Sequence, residues 1–239
     1  MFAYCLADLF NLRLWRTSFE PSYSDIRDGL VELTLACFNA FNANGLAVSD
    51  LTIRLYGGWH GEQPGDPNAI RDLLQAVLRD FPGRIGGRVR VQIADSPIWD
   101  RSLRLLRTLR KARLQPAGGD FNSPLSCYYG GGASCTIPLF ESWWKGRCPE
   151  ANCRVKLREI GVAKRQKMVD TLLTADALTI ARDELAEVIV LASDDSDMYP
   201  ALFASAESRA HVIALRRGTE HDTYYEGLFA IRGIHTYDW

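Results

Sequence analysis

The sequence predicts an α/β protein, a parallel sheet covered by helices on both faces. Three observations carry that reading. Short apolar runs alternate with longer amphipathic stretches along most of the chain. Runs such as EVIVLAS are almost continuously hydrophobic, as strands buried on both faces must be. The rhythm breaks once, over 115–158, which is rich in Gly, Pro, Cys and aromatic residues. That stretch reads as an insertion or small subdomain within a single domain spanning 1–239. With 239 residues, 47% of them hydrophobic, the chain can bury one sizeable core.

The elements follow in order. FAYCLADL is short and apolar and reads as a buried strand. SDIRDGLVELTLACFNAFNANG reads as a helix, with Ser24 as cap, Asp25 and Asp28 in the first turn and Asn44-Gly45 at its end. DLTIRLYGG is a second strand. DPNAIRDLLQAVLRDFPG is a helix with Asp66 at the cap and Pro67 at the first helical position. GRVRVQIAD alternates as a third strand. WDRSLRLLRTLRKARL reads as a short, strongly basic helix. After the insertion, KRQKMVDTLLTADALTIARDEL reads as a helix, EVIVLAS as a strand, MYPALFASAES as a helix and HVIALRRG as a strand. The tail, TYYEGLFAIRGIHTYDW, fits no pattern cleanly; an edge strand is one reading of it.

Net charge is −1, yet its distribution is uneven. Between Asp100 and Lys167 there are 14 Lys or Arg against 5 Asp or Glu, so the middle is basic and the remainder acidic. Such asymmetry suggests an anionic partner, although solvated faces account for it equally. MFAYCLADLFNLRLW lacks a basic leader region, and no run approaches the roughly 18 apolar residues of a membrane span. The expectation is a soluble cytoplasmic protein with no membrane partner. Its six cysteines then read as reduced thiols or metal ligands.

In a fold of this class, ligands sit beyond the carboxyl ends of the strands. Asp8 closes the first strand, with Asn11 three residues on. Asp194, Asp195 and Asp197 follow EVIVLAS. A helix leading into a parallel strand starts at the same edge, which brings Asp170 there too. Asp176 lies six residues along that helix, about 9 Å and 240° away from Asp170, so it is either an outer-shell member or a more distant ligand. Carboxylates gathered out of water need a counter-charge. Oxygen-only ligands suit Mg²⁺ or Mn²⁺, and such an ion supports phosphodiester hydrolysis. The competing reading is that these acids merely cap helices, Ser193 or Asp195 serving MYPALFASAES.

Three segments, in order and with matching spacing, resemble the NYN domain of the PIN-like nucleases. LADLFNL resembles that family's first strand, a hydrophobic run followed by Asp, two residues and Asn. KMVDTLLTADAL resembles its Lys-Gly-Val-Asp helix with a second Asp six residues on. VIVLASDDSDMYPAL resembles its strand followed by Ser-Gly-Asp-x-Asp-Phe-x-Pro. The matched segments cover about a fifth of the chain. The resemblance implies a three-layer αβα, PIN-like (Rossmann-like) parallel sheet with the Cys/Gly/aromatic-rich stretch inserted. It also implies metal-dependent cleavage of RNA, less often of DNA. Asp8, Asp170 and Asp195 would hold the ion, Asp197 would support the ligands or orient water, and Asn11 would bond substrate or fix a ligand. Asp176 matches the second helix acid, and Lys167 is placed to meet a phosphate. Three positions depart from the pattern: Met168 and Asp194 stand where Gly is usual, and Met198 where Phe is usual.

Arg101, Arg104, Arg107 and Arg110 recur every third residue, which reads as a phosphate track or, alternatively, as a solvated face or protein interface. Cys127, Cys135, Cys148 and Cys153 read either as a structural Zn²⁺ site or as ordinary thiols, since no C-x2-C pair occurs. Tyr128, Tyr129, Trp143 and Trp144 suit base stacking or a small core equally. The leading expectation is a divalent-metal ribonuclease. Its rival is an inactive PIN-like module binding nucleic acid or a protein. A metal-dependent phosphatase is a third, with one Asp rather than a D-x-D pair on the first strand. Self-association into a homodimer stays open.

Overall fold

The computed structural model describes residues 1–9, 11–12, 21–60, 69–105, 109–113, 162–166, 168–218 and 223–239. The chain divides into two compact units, Met1–Leu109 with Gln166–Trp239, and Arg110–Arg165. The first unit holds a seven-stranded sheet. Its strands are β1 (Phe2–Asp8), β2 (Asp50–Tyr56), β3 (Arg84–Ile85), β4 (Gly87–Ile93), β7 (Val188–Ala192), β8 (His211–Arg216) and β9 (His235–Asp238). They lie in the order β3-β4-β2-β1-β7-β8-β9. Every pairing is parallel except that of β3, a two-residue edge strand running against β4. A separate two-stranded sheet pairs β5 (Leu109–Arg113) with β6 (Val162–Gln166), mostly within the second unit.

The pleat sorts the core. Ala3, Cys5 and Ala7 of β1 face one cluster; Leu6 faces the other. Val188 and Val190 of β7 join the first cluster, Ile189 and Leu191 the second. The strands are therefore apolar on both sides, as the sequence suggests. Helices α1 (Tyr23–Ala43) and α2 (Ala69–Asp80) close the first face through residues such as Leu30, Leu33, Leu74 and Val77. Helices α3 (Val169–Arg182), α4 (Tyr199–Ser205) and α5 (Thr223–Ile231) close the second through Leu173, Ile180, Leu202 and Phe229. Burying one such leucine contributes about 2 kcal/mol. The result is an α/β unit of three layers, Rossmann-like in its parallel order.

Several boundaries move from their expected places. The cap of α1 is Ser22 rather than Ser24. Ser22 accepts from the Asp25 backbone N–H while the Asp25 carboxylate accepts from Ser22 N–H at 2.8 Å, a reciprocal box that Ser24 has no acid to complete. The helix ends as expected, with Asn44 at the cap and Gly45 at φ +66°. Helix α3 starts at Val169, because Met168 adopts the left-handed conformation and breaks continuity with β6. The tail forms α5 and then β9, an edge strand. Gly86 and Gly87 turn β3 into β4 beneath Phe38, where an added Cβ would meet the ring at 2.9 Å. Asp66, Pro67 and the expected insertion over 115–158 lie outside the described residues.

Among the described residues, the basic helix expected over WDRSLRLLRTLRKARL does not form. Residues 97–105 form turns and irregular chain, and 109–113 are strand. Local turns and longer-range bonds hold this backbone in a non-helical path. Ile98 N–H donates to Asp176, Leu105 N–H to the Asp95 carbonyl, and Ser102 N–H to the Asp100 carboxylate. A repeat of three also winds away from any fixed face of a 3.6-residue helix.

Candidate functional site

Between β1 and β7 the order of the sheet reverses. Numbered by parallel strand, it runs 3-2-1-4-5-6, and the chain leaves β1 and β7 toward opposite faces. Such a switch point leaves a crevice at the carboxyl edge. Asp8 is the last residue of β1, and Ser193–Asp197 follow β7 directly.

The local chain folds so that its acids meet. After β1, Leu12 N–H returns to the Asp8 carbonyl at 3.1 Å, which turns Asn11 back over Asp8. Asn11 Nδ2 donates to Asp8 Oδ2 at 2.7 Å and to Asp195 Oδ2 at 3.2 Å. One amide thus ties the ends of two adjacent strands. Asp195 caps a 3-10 turn, Ser196–Met198, by accepting from Asp197 N–H at 2.9 Å, while its own N–H donates to Ser193 Oγ. The capping role and the place in the cluster therefore coexist in one side chain, one oxygen for each. Asp8 is 1% exposed, Asp195 is half-buried, and Asp197 and Asp170 face solvent.

Asp170 sits in the first turn of α3. Its carboxyl is pushed above the usual carboxylate range, first by burial, then by the negative charges of Asp195 and Asp197. The three expected segments therefore deliver Asp8, Asn11, Asp170, Asp195 and Asp197 to one rim. Asn11 is a neutral donor, so it orders the carboxylates without cancelling their charge. Among the described residues, no three Asp, Glu, His or Cys side chains form a group that could hold a metal ion as they stand.

Met168 precedes this turn at φ 65°, a conformation that glycine adopts freely and methionine does not. The backbone thus keeps a glycine-like geometry where the sequence has none.

Two acids belong elsewhere. Asp176, expected as a metal ligand or outer-shell acid, is fully buried. Its Oδ2 accepts from Arg54 at 2.9 Å and from the Tyr56 hydroxyl at 2.7 Å, and its Oδ1 accepts from Ile98 N–H at 2.8 Å. Both oxygens are committed and the charge is matched by Arg54, so it is a structural ion pair. Arg54 also donates to the Ser96 carbonyl at 2.8 Å. The signal for this network was a charged residue inside the apolar strand DLTIRLY, which burial permits only with a partner. Asp194 bonds the neighbouring loop instead. Its Oδ1 accepts from the N–H groups of Arg217 and Gly218, at 2.7 and 3.1 Å, and so ties the loop after β7 to the loop after β8.

Arg101 and Arg104 are exposed on the irregular chain after β4. His60, buried in the chain that follows β2, has its basicity lowered by that burial, then by Arg71; Asp95 opposes this and Arg104 adds a smaller effect in the lowering direction. Sequence reading gave His60 no role, because it follows no nucleophile pattern. Arg107, Lys167 and the cysteines Cys127, Cys135, Cys148 and Cys153 lie outside the described residues, as do Tyr128, Tyr129, Trp143 and Trp144.

Compared with family models, curated proteins and solved structures, the chain matches none.

Proposed function

We propose that the chain is a divalent-metal-dependent nuclease of the NYN, PIN-like kind, acting on RNA ahead of DNA. One observation supports the reading: acids from three distant segments, Asp8, Asp170 and the Asp195–Asp197 turn, lie along the carboxyl edge of a parallel sheet at its switch point, with Asn11 bonding Asp8 and Asp195. The donors are all carboxylate or amide oxygens, the chemistry that suits Mg²⁺ or Mn²⁺. Asp170 is held above the usual carboxylate range, first by burial and then by the negative charges of Asp195 and Asp197, so a cation beside it would be favoured.

Asp8, Asp170 and Asp195 would hold the ion. When bound, it would lower the pKa of a water and offset charge building on a phosphate. Asp197, exposed at the turn, accepts a proton from water or orients it. Asn11 holds Asp8 and Asp195 in register through its amide, and fixes the spacing of the pair. Asp176 takes no part, because its oxygens are already bonded.

A non-catalytic binding module is the second reading. The observation favouring it is that no three ligand-type side chains among the described residues form a metal-holding group. Cleavage assays on structured RNA, single-stranded RNA and DNA separate the two. The nuclease reading expects product with Mn²⁺ and none with a chelator. It also expects Asp8→Asn to abolish product while leaving the circular dichroism spectrum unchanged. Intact substrate under every divalent-ion condition leaves the binding module standing.

A further inference from the structure

We propose that Tyr224, backed by Tyr225 and Tyr199, is a stacking shelf for a base of single-stranded nucleic acid beside the acidic rim. The proposal rests on the nuclease reading and adds to it the form of strand that the rim takes.

The rings form a ladder. Tyr199 opens α4, two residues after Asp197. Its ring packs edge-on against Phe229, with centroids 5.1 Å apart and planes at 87°, and Phe229 is 1% exposed. Tyr225 lies 4.6 Å from Tyr199, and Tyr224 lies 5.2 Å from Tyr225, edge to face at 78°. Exposure rises along the series. Phe229 is buried, Tyr199 and Tyr225 are half-buried, and Tyr224 is 68% exposed. The outermost ring therefore stands in solvent on a support anchored in the core.

Its place in the fold matters as much. Helix α5 leaves β8 and leads into β9, which runs parallel to β8. Its first turn, with Tyr224 and Tyr225, therefore lies at the carboxyl edge of the sheet, the edge that carries Asp8, Asp170, Asp195 and Asp197. Phosphates are repelled at an acidic rim. A contact that grips the uncharged bases holds a strand there without needing cations. Stacking on an aromatic ring accepts any base, because every base has a π-face. Bases inside a duplex are already stacked, so the shelf selects single strands. A protein partner also uses exposed tyrosines, but it gains nothing from lying beside the acids of a cleavage site.

The test measures binding without cleavage. Wild type, Tyr224→Ala and Tyr224→Phe are titrated with a labelled uridine homopolymer in chelator, followed by fluorescence anisotropy. A duplex and an abasic strand of the same length serve as comparisons. Tyr224→Ala is expected to weaken single-strand binding about tenfold. Tyr224→Phe should bind as wild type does, and neither change should alter duplex or abasic binding. Equal affinity of wild type and Tyr224→Ala overturns the proposal. So does an equal loss on the abasic strand, no single-strand binding by the wild type, or a drop in sedimentation mass on Tyr224→Ala, which would mean that a second copy covers the ring. Because no divalent ion is present, absent cleavage leaves this result standing. Cleavage with Tyr224-independent binding removes the shelf and keeps the nuclease.

Discussion

Asp170 shows how the rim stores repulsion. Burial and two like charges raise its carboxyl above the usual range. A carboxyl raised on folding is ionised less readily in the folded chain than in the unfolded one, where it titrates near 3.9. The folded state therefore binds the extra proton, and stability falls as pH rises from below 3.9 through the folded value. Asp170→Asn should raise the melting temperature at pH 7, and the gain should vanish as pH drops below about 4. Thermal scans across that range check it, and a loss of stability at pH 7 contradicts it. Met168 stores a second strain, in its backbone. Its left-handed backbone costs about 1 kcal/mol, partly offset by the flexibility that glycine adds to the unfolded chain. Met168→Gly should stabilise by up to about 1 kcal/mol, while Met168→Val, branched at Cβ, should destabilise. Denaturant midpoints that rank the two the other way would show that φ does not govern this position. The sequence flagged Met168 as a departure from a glycine pattern. It did not reveal that the backbone keeps the glycine conformation.

At the scale of elements, the Asp176–Arg54–Tyr56 network pins α3 and the chain after β4 to the sheet. Removing one partner of a buried pair costs about 3–5 kcal/mol, because the other charge is left unmatched. Asp176→Asn should lose that much, whereas Arg54→Met with Asp176→Leu should lose far less than the two single changes together. A double-mutant cycle in urea reads the coupling, and additive losses would remove it. Sequence reading placed Asp176 near the rim because spacing along a helix was all it had. Its partner Arg54 lies 122 positions away in the chain, and only the packed sheet joins them. The missing basic helix has the same origin. Periodicity gave a local preference, and acceptors outside the stretch, the buried Asp176 carboxylate and the Asp95 carbonyl, overrode it.

For the whole molecule, the parallel sheet was legible because strands buried on both faces must be apolar throughout. The rim was legible because acids fell at strand ends and a helix start, places that sequence position alone assigns to one edge. The tie through Asn11 and the separation of Asp194 from Asp195 were not, since both depend on where side chains point after the strands end. That separation sharpens the central claim, that Asp8 and Asp195 hold a divalent ion and Asp194 does not. The most direct test is Mn²⁺ titration followed by the electron paramagnetic resonance of free Mn²⁺. Wild type and Asp194→Asn are predicted to take up one ion with equal affinity, because an asparagine oxygen still accepts from Arg217 and Gly218 N–H. Asp8→Asn and Asp195→Asn are predicted to bind at least about tenfold more weakly. No uptake by the wild type, or the same loss in Asp194→Asn as in Asp195→Asn, would contradict the account.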